Sequence, residues 1–123
     1  MVLIFTGNEQ LDRELSNSIK GNNAIVYYPE YVLEEKDAKI LIATVQNNKY
    51  NFKDFMFEVR EKNIRVILIL EDENVKELRD ALILGIYDIV FDPFTLEDVT
   101  QKITNPTQFS MISKYIKEIQ GLE

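Results

Sequence analysis

The sequence predicts a three-layer α/β protein in which a doubly wound, five-stranded parallel sheet is covered by helices on both faces. Three observations carry that prediction. Short apolar runs such as Val2-Leu3-Ile4-Phe5 and Ile40-Leu41-Ile42-Ala43 lack amphipathic alternation, as strands buried on both faces do. Stretches with helical apolar spacing and their own capping residues separate them, and each such crossover carries the chain back along the sheet. Finally, Gly85 to Phe94 reads as the end of one helix, a buried strand and a turn into the next helix.

The elements follow in order. Val2 to Phe5 is β-like by its branched and aromatic content and its nearness to Gly7. Asn8 caps a helix whose Leu11, Leu15 and Ile19 recur every four residues, with Gly21 as its stop. Ala24 to Tyr28 forms a second strand ended by Pro29, and Glu30 to Lys36 allows at most about two helical turns at 3.6 residues each. Ile40 to Ala43 is the third strand, followed by the polar loop Gln46-Asn47-Asn48-Lys49. Asn51 with Asp54 opens a helix whose apolar face is Phe52, Phe55, Met56 and Val59. Arg65 to Leu70 is the fourth and most apolar strand, and Asn74 with Glu77 caps a fourth helix running to Leu84. Gly85 stands where a left-handed residue ends a helix at least cost. Ile89-Val90-Phe91 is the fifth strand, ended at Asp92 by Pro93, and Thr95 with Asp98 makes a capping box for the next helix. That helix fades near Ile103-Thr104, and Asn105-Pro106 restarts a helix with proline in its first turn. The last helix carries Phe109, Ile112, Ile116 and Ile119, flanked by Met111 and Tyr115, with Gly121 as its end.

Composition narrows the function. At 123 residues and 46% hydrophobic content the chain builds one domain with a sizeable core. It has no cysteine and no histidine, which removes disulfides, thiolate catalysis, imidazole bases and most transition-metal sites. A net charge of −7 without any basic run argues against nucleic acid as a direct partner. The apolar N-terminal stretch is too short for a signal peptide or membrane span, so a cytoplasmic protein is expected.

The segment Gly85-Ile-Tyr-Asp-Ile-Val-Phe-Asp-Pro-Phe-Thr-Leu-Glu-Asp-Val resembles the last strand and helix of CheY-like response-regulator receiver domains, which typically read Gly-Ala-x-x-Tyr-Leu-x-Lys-Pro-Phe-x-x-Glu-Glu-Leu. The resemblance covers residues 1 to 104 and is specific from Ala81 to Val99; it implies the flavodoxin-like strand order 2-1-3-4-5, with 105–123 as an extra C-terminal helix, either a further layer or a linker to a following domain. It also implies a cis Asp92-Pro93 bond. The family's switch residues are missing at the matching positions. Thr6, Gly7 and Asn8 stand where magnesium-binding acids belong, Ala43 or Thr44 where the phosphoacceptor aspartate belongs, and Glu71 and Asp72 follow Leu70 where a hydroxyl belongs. Asp92 replaces the lysine. The chain therefore looks like a degenerate receiver, a pseudo-receiver with no phosphoacceptor, catalytic residue or cofactor.

What remains is surface. Receivers commonly pair through the fourth helix, fifth strand and fifth helix, which implies a homodimer through Val75, Arg79 and Ile83, with Ile112, Tyr115, Ile116 and Ile119 of the C-terminal helix as further contact residues. The ending Gly-Ile-Tyr-Asp-Ile-Val and the segment Asn105 to Phe109 are similar to atypical receivers that precede P-loop ATPase domains in proteins of the TadZ and CpaE kind, which implies the regulatory piece of a longer protein with a C-terminal ATPase domain. The function expected is a non-catalytic, phosphorylation-independent module for protein interaction, dimerisation or positioning. The alternative is a response-regulator-like domain in two-component signalling that binds a divalent cation or small ligand at Glu71, Asp72 and Asp92. A third reading is an active receiver with its acceptor displaced to Asp37 or Asp54.

Overall fold

Five strands, β1 (Val2–Phe5), β2 (Asn23–Ile25), β3 (Ile40–Thr44), β4 (Arg65–Leu70) and β5 (Asp88–Phe91), pair in parallel in the order β2-β1-β3-β4-β5. The computed structural model describes residues 1–120. Register is continuous across the sheet: Leu3 lies beside Leu41, Leu41 beside Val66, and Leu68 beside Ile89. Because side chains alternate along a strand, each run feeds two cores. Leu3, Phe5, Leu41, Ala43, Val66, Leu68 and Leu70 face α2 (Pro29–Glu34), α3 (Phe52–Glu61) and α4 (Lys76–Ile83). Val2, Ile4, Ile42, Ile67, Ile69 and Val90 face α1 (Glu9–Ser18) and α5 (Leu96–Thr104). Each fully buried Leu or Ile contributes about 1.5–3 kcal/mol, so the unbroken apolar runs supply most of what holds the layers together.

Local chemistry sets the helix ends. Asn8 caps α1 by accepting from the Leu11 N–H, Asn51 caps α3 through Asp54, and Thr95 with Asp98 forms the expected reciprocal box on α5. Gly85, at φ +77°, closes α4: its N–H reaches the Leu82 carbonyl while the Ile86 N–H reaches that of Ala81.

Several boundaries differ from the sequence reading, most by a residue or two. β2 stops at Ile25 rather than Tyr28; the Val26 N–H still bonds the Ile4 carbonyl at 2.8 Å, but Pro29 opens α2 and leaves Tyr27 and Tyr28 in the turn between them, exposed. Asn74 does not cap α4. Its N–H is held by the Asp72 carboxylate at 2.8 Å in a local turn, and Val75 occupies the cap position without a side-chain bond. β5 begins at Asp88, one residue earlier than the apolar run. The last helix, α6 (Phe109–Gln120), starts beyond Pro106, because the Thr107 N–H is anchored at 2.7 Å to the Asp88 carboxylate and residues 105–108 stay outside any helix. The expected stop at Gly121 lies outside the described residues.

Candidate functional site at the carboxyl rim

In a doubly wound sheet, loops leaving the carboxyl ends of the strands build the site. Here they enclose a cleft of about 570 Å³. Its floor is a hydrogen-bonded set tied to Thr6. The Thr6 N–H and hydroxyl both donate to Asp12 Oδ1, at 3.2 and 2.6 Å, and the Thr6 carbonyl accepts from the Thr44 hydroxyl at 2.7 Å. The Tyr50 hydroxyl donates to the Thr44 carbonyl, and burial raises its pKa above the usual phenol value. Gly7 bends the chain at φ +74°; a Cβ there would meet Gln46 Oε1 at 2.6 Å, so the close approach of this loop admits only glycine. Gln46 is itself buried and ties the two loops together by donating from Nε2 to the Phe5 carbonyl at 3.0 Å.

Asp12 was not legible as part of the rim. It lies three residues before Leu15 on the buried stripe of α1 and reaches back to the end of β1 from the helix. Burial raises its carboxyl above the usual value, against the Thr6 hydrogen bonds and the Lys49 charge, which pull it down. The signal was its phase with Leu15 and Ile19.

The positions matched to the phosphoacceptor are a buried methyl and a hydroxyl already engaged: Ala43 is fully buried, and only Thr44 lines the cleft. Of Glu71, Asp72 and Asp92, the first and last line the cleft, while the Asp72 carboxylate accepts from the Asn74 N–H. The third carboxylate is Glu77, read from the sequence as a capping residue and found buried against the cleft in the first turn of α4. Among the described residues, no three acidic groups are close enough to hold a metal ion. Neither Asp37, which precedes β3, nor Asp54, in the first turn of α3, lines the cleft. The Asp92-Pro93 peptide is cis.

The second candidate surface divides in two. On α4, Arg79 is exposed, Ile83 is 66% exposed, and Val75 is half-buried beside the core and the cleft. On α6, Ile112 is buried in the chain's own core, with Tyr115, Ile116 and Ile119 partly buried against it. The helix folds back over β5, where the Phe91 and Tyr115 rings lie 6.5 Å apart and those of Tyr87 and Phe109 6.0 Å. Tyr115 also donates its hydroxyl to Glu73 at 3.1 Å. Between α3 and α4 lies a groove of about 290 Å³ walled by Phe57, Ile83 and Leu84 and edged by Lys53, Asp54 and Asp80. Phe57, 53% exposed, belongs to this surface and falls off the stripe Phe52-Phe55-Met56-Val59, which is how the sequence could have shown it.

No family model and no curated protein matches the chain. Solved structures match its fold. The response regulator DrrB of Thermotoga maritima, an OmpR/PhoB homologue, superposes with a TM-score of 0.73 at 15% identity over 91% of this chain and 52% of that one, so the chain spans about half of that regulator's length. The BeF3-activated DrrB receiver domain alone gives 0.72 at 16% identity, covering 85% of this chain and 93% of that one. A CpaE2 pilus assembly protein of Sinorhizobium meliloti gives 0.60 at 10% identity, covering 85% and 98%.

Proposed function

We propose that this chain, which has the CheY-like receiver fold, is a non-catalytic, phosphorylation-independent module that works through contacts with other proteins. One observation carries the reading: at the end of β3 the acceptor position offers the buried methyl of Ala43 and a Thr44 hydroxyl committed to the Thr6 carbonyl, and no carboxylate. Aspartyl phosphorylation needs that carboxylate, oxygens for magnesium and a cation beside the phosphoryl group. Thr6 to Asn8 supply no acid, and Asp92 replaces the cation with a negative charge. Glu71, Glu77 and Asp92 around the cleft add repulsion against a phosphoryl dianion.

On this reading, residues 1–104 are the receiver-like unit and 105–123 an added helical segment, in a cytoplasmic homodimer. The outward side of α4, with Arg79 and Ile83, is the contact surface. The resemblance of Gly85 to Val90 and Asn105 to Phe109 to receivers that precede ATPase domains extends the proposal to the regulatory part of a larger ATPase or signalling protein.

The test is titration of the ¹⁵N-labelled chain with magnesium and beryllofluoride. The expected spectrum shows no saturable shift at Thr6, Thr44 or Asp92; saturable binding there, or at Asp37 or Asp54, contradicts the proposal.

A further inference from the structure

We propose that the carboxyl-rim cleft is a binding site for an extended organic cation, an alkyl chain ending in an ammonium or guanidinium group. The first observation is Glu77. It is 8% exposed, lines the cleft, and has no hydrogen-bond or ion-pair partner among the described residues. The side chain as a whole is buried but its oxygens still meet solvent, so the carboxylate stands unpaired at the wall of the cleft. The N-terminal turn of α4 offers a favourable dipole but no N–H bonded to the side chain, so its oxygens remain open to an incoming donor.

The second observation is the lining as a whole. Glu71 and Asp92 join Glu77, and among the described residues no lysine or arginine lines the cleft. Lys53 and Lys76 stand in a neighbouring groove of about 260 Å³ that Glu77 also borders, and neither pairs with it. The third observation selects the kind of cation. The three carboxylates are too dispersed to share one metal ion, whereas a chain charged at its ends can reach acids that lie apart. Leu11, Val75 and Phe94 provide apolar wall for the methylene stem, and about 570 Å³ suits a small organic molecule. Thr44 and Asn8 add neutral polar groups at the same opening.

The site does not depend on the interaction reading and is tested by different probes. Agmatine is titrated into the labelled chain, in parallel with magnesium chloride and with a blocked glycine peptide carrying one arginine. Agmatine is expected to shift the amides of Asn8, Thr44 and Glu77 saturably, and Glu77→Gln to weaken binding about tenfold. Glu71→Gln, a change at an exposed residue that leaves folding untouched, is expected to weaken it as well. Tighter binding of the peptide assigns the ligand to a partner protein's arginine, and tighter binding of agmatine to a free amine. Shifts absent at millimolar agmatine, binding that neither variant changes, or full displacement by equimolar magnesium would overturn the site.

Discussion

Asp12 shows how a single side chain couples the rim to stability. Its carboxylate is 2% exposed and accepts two hydrogen bonds from Thr6, yet burial raises its pKa above the ordinary 3.8. The folded state therefore binds this proton more readily than the unfolded chain does. Stability from this group is greatest below pH 3.8 and is lost as pH rises through the elevated folded value. Asp12→Asn keeps an oxygen for Thr6 and removes the buried charge, so it should be at least as stable as the wild type at neutral pH, with the difference vanishing in acid. Asp12→Ala, which leaves the Thr6 N–H unpaired and the Thr6 hydroxyl with only the Asn8 carbonyl, should cost about 1–3 kcal/mol. Urea unfolding of the three proteins across a pH series checks both statements. Asp12, and the place of Glu77 at the cleft, escaped the sequence reading for one physical reason. Acids were sought on the loops directly after strands, and both carboxylates arrive from the first turns of helices.

At the scale of elements, the join between β5, α5 and α6 rests on the Arg65 and Asp88 pair. Arg65 approaches Asp88 at 3.1 Å as an ion pair without hydrogen-bond alignment of its Nε, and donates its terminal nitrogen to the Lys102 and Ile103 carbonyls. Asp88 in turn anchors the Thr107 N–H. Asp88→Ala should cost about 1–3 kcal/mol and speed amide exchange in α6 ahead of β3 and β4, readable by hydrogen exchange. The proposed contact face is an element-level matter too: with Ile83 pointing outward, Ile83→Asp should convert a dimer to monomers in sedimentation velocity. A monomeric wild type, or a dimer unmoved by the substitution, removes that face. Element types and most caps were legible, since Asn8, Asn51, Thr95 and Gly85 act through local chemistry. The misplaced starts of α4 and α6 were not, because Asp72 and Asp88 set them through bonds that no periodicity displays.

For the whole molecule, the strand order followed from the resemblance of Gly85 to Val99 rather than from any apolar run, since such runs suit many doubly wound sheets. The charge pattern was legible as a sum, −7, but not as a distribution: the grouping of Glu71, Glu77 and Asp92 around one opening needed the fold. The position of α6 carries its own consequence. By lying across β5 and α4 within the same chain, it roofs Leu78, Leu82, Ile89 and Phe91. Arg79 and Ile83 stay outside that roof, so the side of α4 turned toward α3 remains open to a partner while the β5 side is closed by the chain itself.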